Sequence, residues 1–222
     1  MKITAVIPAS GAGVRVGGDV PKQFLQLGGE PILKRVLAVF DSCEIVAEIA
    51  VAVPDGYAAE VSAYNLPKVR HIVTGKKTRA ESVFAALQCL SDSEIVLIHD
   101  GIRPFVTHEI IEKVSAAVKK YGAAIAASPV TDTIKEADAN GLIAATPDRA
   151  ALWRAQTPQG FTYREILRAY ELADADGTLS AATDDSSLAE RAGISVKIVP
   201  CDPANIKITT PFDLKIAEML VL

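Results

Sequence analysis

The stretch ITAVIPASGAGVR (residues 3–15) decides the fold. ITAVIPA is almost wholly apolar, as a strand covered on both faces must be. Pro8 and Ala9 then lead into Ser10, Gly11 and Gly13, small residues that let a backbone approach another group closely, and Arg15 adds a cation. A buried strand that empties into such a loop belongs in an α/β sheet, where ligands sit beyond the carboxyl ends of the strands. The loop is not a Walker A loop, because no Gly-Lys-Ser/Thr follows, and it fails G-x-G-x-x-G because Val16 holds the third glycine position. What remains is a glycine loop whose amides can face phosphates, with Arg15 as a nearby positive charge.

The alternation continues down the chain. PILKRVLAVFDS (31–42) carries apolar residues at helical spacing, EIVAEIAVAVP (44–54) holds a strand, and YAAEVSAYN (57–65) is helix-like. VRHIVTG (69–75) is a short strand, and TRAESVFAALQCL (78–90) is an amphipathic helix with Thr78 as N-cap. EIVLIHDG (94–101) is a strand ending in charge. THEIIEKVSAAVKKYG (107–122) is a helix that stops at Gly122, and AAIAASPV (123–130) is another strand. Strand alternating with helix implies parallel pairing by right-handed crossovers, hence a doubly wound, mostly parallel sheet. TIKEADANGLIAAT (133–146) breaks the rhythm. It reads as two short strands about an Asn-Gly turn, so residues 131–152 form a protruding β-arm on one domain of residues 1–222. YREILRAYELA and DDSSLAERAG are helices, ISVKIVP a strand, and TPFDLKIAEMLVL a closing helix.

Composition narrows the function. With 222 residues, half of them hydrophobic, the chain can bury a sizeable core. A formal charge of −4 without basic runs argues against a nucleic acid polymer as partner. No run of about eighteen apolar residues is present, so no membrane span is expected. Pro8 and the glycines cut the first apolar run short, so it reads as a strand rather than a leader. Cys43, Cys89 and Cys201 lack metal-ligand spacing and read as reduced thiols of a cytoplasmic protein. H-x-x-H, C-x-x-C and G-x-S-x-G are all absent, which leaves no visible covalent nucleophile.

Charges stand at the places a phosphate ligand needs. Most lysines are simply solvated, but Lys22 in PKQFLQL lies close to Arg15, and the two suggest a clamp on a polyphosphate. Asp100 in LIHDGIRPF follows a buried strand, where a carboxylate suits a Mg2+ carrying nucleotide phosphates, and Arg103 is close enough to meet a second anion. His99, one of three histidines, has no partner pattern and reads as a packing or hydrogen-bonding residue. Lys207 in ANIKITTPFDL, taken alone, is an exposed lysine in a short β-like segment.

Together and in this order, PASGAGVR, PKQFLQL, GKKTRAESV, HDGIRPF, DTIK, QTPQGF, TDDSSL and NIKIT resemble the 2-C-methyl-D-erythritol 4-phosphate cytidylyltransferases of the non-mevalonate isoprenoid pathway. The resemblance runs from Ile3 to the final helix. It implies a Rossmann-like nucleotidyltransferase fold and transfer of CMP from CTP to 2-C-methyl-D-erythritol 4-phosphate, with release of pyrophosphate. It assigns Arg15, Lys22 and Lys207 to catalysis, which reverses the standalone reading of Lys207. Pro8, Ala9, Ser10, Gly11, Gly13, Gly75, Ser82, Asp100 and Gly101 become nucleotide-binding, with Asp100 on the Mg2+ side. Arg103, Thr133, Arg149, Thr157 and Thr183 become substrate-binding. The resemblance lends Thr133 and Arg149 to a partner's site, which implies a homodimer joined through the arm. Two departures stand out: Gly101-Ile102 where the family usually has two small residues, and Lys76 where glycine is common. Ribitol-5-phosphate cytidylyltransferases share the fold and most of these motifs, and a non-catalytic nucleotide-binding regulator is the alternative from another class.

Overall fold

Among the described residues seven strands build one sheet, and their order explains where the loops collect. The computed structural model describes residues 1–11 and 20–221, so Gly13 and Arg15 lie outside the described residues. The strands of the main sheet are β1 (Ile3–Pro8), β4 (Glu48–Val53), β5 (Val69–Thr74), β6 (Ile95–Ile98), β7 (Ala123–Pro129), β10 (Trp153–Thr162) and β11 (Lys197–Pro200). Small two-residue strands β2 (Gln26–Leu27) and β3 (Glu30–Pro31) pair apart from it, as do β8 (Glu136–Ala137) and β9 (Ile143–Ala145). The main order is β11-β7-β10-β6-β1-β4-β5. β1 lies parallel between β4 and β6, β5 extends this half, and β11 runs parallel to β7.

β10 is the exception. It runs antiparallel to both β6 and β7, with its register shifting between Ala155 and Gln159. The sequence reading has no strand there. In RAQTPQGF two glutamines and a proline interrupt the apolar pattern from which the other strands are read. The glutamines are nonetheless buried and bonded: Gln159 Nε2 donates to Asp184 and its Oε1 accepts from the Ser186 amide, both at 2.8 Å.

Helices cover both faces. α1 (Ile32–Ser42) and α4 (His108–Tyr121) cover one, α3 (Arg79–Gln88) and α5 (Tyr163–Ala175) the other. α2 (Ala58–Ser62), α6 (Asp185–Arg191) and α7 (Pro211–Leu220) are shorter or peripheral. β1 shows the two-residue period of a strand: Ile3, Ala5 and Ile7 pack with Leu33, Phe40 and Val114, while Val6 packs with Val83, Leu87 and Ile166. Each fully buried aliphatic side chain of this kind contributes about 1.5–3 kcal/mol. Thr78 caps α3 as expected, in a reciprocal box with Glu81.

The arm is different in kind. Its turn is fixed locally, since Asp138 accepts from the amides of Asn140 and Leu142 and Gly141 takes φ +82°. Residues 131–146 are exposed throughout. No helix among the described residues is long and apolar enough to cross a membrane.

Candidate active site

Sheet pairing runs on past the strand ends and fixes the loops there. Ala9 N–H donates to Ala52 O at 2.7 Å, Gly75 N–H to Val53 O at 2.8 Å, and His99 N–H to Val6 O at 2.9 Å. Two glycines let these loops touch. A Cβ on Gly75 would lie 2.0 Å from Ser10 Cβ, and one on Gly101 would lie 2.9 Å from Ala9 Cβ and 3.2 Å from Pro8 O. The Ser10 and Ser82 hydroxyls meet at 2.8 Å. Ser82 Oγ also accepts from Lys76 N–H at 2.9 Å and donates to Thr78 O at 2.8 Å. Ser82 is fully buried, so it shapes the loop from behind.

The cations arrive on separate supports. Lys22 opens a 3-10 turn at Lys22–Phe24. Buried Gln23 ties that turn to the glycine loop by donating Nε2 to Ala9 O at 2.5 Å, and Phe24 stacks on Tyr57. Lys207 sits on an irregular segment before α7 rather than on the β-like one read from the sequence. That segment is held by Ile208, whose amide donates to Ile102 O at 2.9 Å and whose side chain is buried beside Leu27 and Ile32.

The two larger clefts on this edge adjoin. The first, about 480 Å³, is lined by Pro8, Ala9, Ser10, Gly11, Lys22 and Gln23, by Lys76 to Arg79, and by Asp100, Ile102, Lys207 and Thr209. The second, about 500 Å³, is lined by Arg103, Thr157, Gln159, Thr183 and Asp184 among others, and again by Arg79, Asp100 and Lys207. These last three residues form the wall the clefts share. Gly75, Ser82 and Gly101 line neither cleft; they permit its walls.

Asp100 organises that wall. It is 5% exposed, and three cations surround it: Arg79 Nε lies 2.8 Å from Oδ1, with Lys207 Nζ at 3.0 Å and Arg103 Nε at 3.4 Å from Oδ2. Burial pushes its carboxyl up, but Arg79, Lys207 and Arg103 outweigh burial and hold it well below the usual range. Among the described residues lining the first cleft, Asp100 is the sole carboxylate. No group of three or more His, Cys, Asp or Glu side chains among the described residues is placed to hold a metal by itself. A lone hard oxygen ligand matches the way Mg2+ is usually held, by one or two carboxylates with substrate phosphates completing the set.

Behind the wall, Thr157 Oγ1 accepts from the Asp100 amide at 3.1 Å and bonds His99 Nδ1 at 2.9 Å, while His99 Nε2 donates to Arg103 O. His99 is fully buried, and burial is the main cause that lowers its pKa to about 4. It is a neutral spacer, as the sequence suggests. Thr157 lines the second cleft but spends its hydroxyl on this relay. Thr133 and Arg149 stand apart: both are exposed on the arm, line neither cleft, and Arg149 Nη1 donates to Thr131 O at 3.0 Å.

The 2-C-methyl-D-erythritol 4-phosphate cytidylyltransferase family (IspD) matches residues 3–222. The chain belongs to this family. A cytidylyltransferase of that name from Symbiobacterium thermophilum is 44% identical over 99% of this chain and 92% of its own length. Another, from Geobacillus kaustophilus, is 45% identical over 100% and 97%. Among solved structures, the 4-diphosphocytidyl-2C-methyl-D-erythritol synthase of Anaerococcus prevotii superposes with TM-score 0.87 at 31% identity, covering 99% of this chain and 96% of that one. The Thermus thermophilus cytidylyltransferase gives 0.83 at 34%, covering 99% and 98%.

Both departures from the family pattern now have positions. Ile102 is buried in the wall of the first cleft and its carbonyl anchors the Lys207 segment; Lys76 lines the same cleft and its amide binds Ser82. The sequence reading of this cytidylyltransferase-family chain passes over Arg79, Asp185 and Tyr170. Arg79 follows a helix cap and Asp185 follows another, Asp184, so both resemble ordinary first-turn residues. Their meeting spans 106 positions.

Proposed function

We propose that this chain transfers CMP from CTP to 2-C-methyl-D-erythritol 4-phosphate, releasing pyrophosphate. The observation that carries the reading is the pair of clefts divided by a single wall of Arg79, Asp100 and Lys207 in a chain of this family. CTP takes the first cleft, its phosphates against the amides of Ser10 and Gly11 and against Lys22. The alcohol phosphate takes the second, its phosphate toward Arg103. An oxygen of that phosphate attacks the α-phosphorus in line, and the bond to the β-phosphate oxygen breaks as pyrophosphate leaves. The attacking phosphate is already ionised, so no general base is required.

Position and charge then supply most of the rate. Lys207 lines both clefts, and this supports the reading of its ammonium as the charge beside the path from acceptor to α-phosphorus. Lys22 serves from the nucleotide side and Arg15 is assigned with it. Gly75 and Ser82 set the wall beside Ser10 in the nucleotide cleft. When bound, Mg2+ would supply charge neutralisation on the triphosphate, and Asp100 is the residue that would hold it, through the lone pair that its contacts with Arg79, Lys207 and Arg103 leave open.

The arm belongs to the same proposal, as the link of a homodimer in which Thr133 and Arg149 serve the partner's acceptor cleft. What supports this is their exposure here together with that of Leu142 (67%) and Ile143 (66%), an apolar tip with no cover in its own chain among the described residues. Cytoplasmic placement goes with the reading, in keeping with three free thiols.

The test is pyrophosphate release from CTP and Mg2+ with each alcohol phosphate. Release with 2-C-methyl-D-erythritol 4-phosphate is expected. Release with ribitol 5-phosphate alone would reassign the substrate, and CTP binding without release under any acceptor would make the protein a regulator.

A further inference from the structure

We infer that Arg79 is a positioning residue for the transfer, and that buried Asp185 is what aims it. The inference rests on the cytidylyl-transfer reading above. Arg79 spans two carboxylates at once: Nη1 and Nη2 reach Asp185 at 2.9 and 2.8 Å, while Nε reaches Asp100 at 2.8 Å. A planar guanidinium with donors on several edges can do this, and a lysine ammonium cannot reproduce it. Asp185 is 0% exposed and lines neither cleft. Its Oδ1 also accepts from the hydroxyl of Tyr170, itself fully buried in the core between α3 and α5.

The result is one continuous chain of contacts, Tyr170–Asp185–Arg79–Asp100–Lys207, running from the core to the wall between the clefts. Asp185 fixes the plane of the Arg79 fork; Arg79 takes Oδ1 of Asp100 and so leaves Oδ2 turned to Lys207. Lys207 has a long side chain, 36% exposed, on an irregular segment. Its aim therefore depends on the carboxylate it is paired with, and a fixed carboxylate removes a search that would otherwise precede each turnover. A buried aspartate with no view of any ligand is hard to explain as a binding residue, and that separates this role from a contact with substrate.

The experiment compares wild type, Asp185→Asn, Arg79→Lys and Arg79→Ala by steady-state pyrophosphate release and thermal melting, with rates expressed per folded molecule. We expect Asp185→Asn and Arg79→Lys to lower kcat about tenfold or more while KM for CTP and for the alcohol phosphate stay within about twofold. Ethylguanidinium should restore part of the kcat of Arg79→Ala and leave Lys22→Ala unaffected. A kcat within about twofold of wild type in folded Asp185→Asn, or a loss confined to KM, overturns the positioning role. So does failure of all three variants to fold, which would make the network a fold element only. An inactive wild type is a different result: it removes the transfer reading itself and this inference with it.

Discussion

The wall around Asp100 and the arm at residues 131–152 carry polar residues in opposite settings. At the wall, one 5%-exposed carboxylate is surrounded by Arg79, Arg103 and Lys207, and these are held from behind by Asp185, Asn205 and the Ile102 carbonyl. On the arm, Arg149 is exposed and its recorded bond goes to Thr131 O, within the arm's own base. A buried charge must be paired where it sits, so the wall is preorganised by its own chain. An exposed guanidinium carries no such demand and is available to a surface from elsewhere.

The largest effect expected from breaking this contrast is at Lys207. Lys207→Ala should lower kcat by about 10²–10³, the scale for losing one preorganised charge donor, with little change in KM for CTP. An equal loss confined to KM would place Lys207 in ground-state binding instead. Next comes the spacer behind the wall. His99 holds a pKa of about 4 against an ordinary 6.5, so the unfolded chain binds the extra proton between these values. Its stabilising contribution is full above about 6.5 and is lost as the pH falls toward 4, amounting to about 3 kcal/mol. In His99→Gln, denaturant melts should show the slope of unfolding free energy with pH reduced by about one proton over that window. An unchanged slope would show that another group titrates there. A third test is steric. Gly75→Ala puts a methyl 2.0 Å from Ser10 Cβ, and overpacking of this kind costs about 1–3 kcal/mol. Adding Ser10→Gly should recover most of the melting temperature; no recovery would mean that Ser10 is not the obstacle.

Much of this contrast is legible in the sequence, for physical reasons that differ by residue. Continuous apolar runs, apolar residues at helical spacing and caps such as Thr78 are local signals, and they yield the parallel core and its helices. Asp100 is legible because a carboxylate directly after a buried strand has few structural uses. β10 is not, because Gln156 and Gln159 look solvated until Asp184, Ser186 and Asn205 arrive from later in the chain to satisfy them. Arg79 and Asp185 escape for the same reason: each looks like an ordinary first-turn residue, and only tertiary contact makes them a pair. Lys207 has no local signal at all, and it enters through the ordered set of motifs. The Asn-Gly turn announces the arm, but a turn says nothing about what its exposed face will meet.

The smallest expected effect on the fold is therefore the most informative about the arm. Arg149→Ala removes an exposed side chain from a segment whose shape is set by Asp138 and Gly141, so folding stability should move by no more than about 0.5 kcal/mol. KM for the alcohol phosphate should nevertheless rise about tenfold, as expected when one charged hydrogen bond to a phosphate is lost. Mixing this variant with Lys22→Ala then distinguishes the two ways an arm can serve a site. If each arm reaches the partner, a hybrid dimer contains one site with an intact Lys22 from one chain and an intact Arg149 from the other. With the alcohol phosphate held well below KM, random mixing makes about half the dimers hybrids with one such site in two, hence about a quarter of wild-type activity, against about a twentieth without exchange. If each arm serves its own chain, no hybrid contains a complete site. Verified hybrids that stay at the level of the parent variants would rule out exchange and return Arg149 to the chain that carries it.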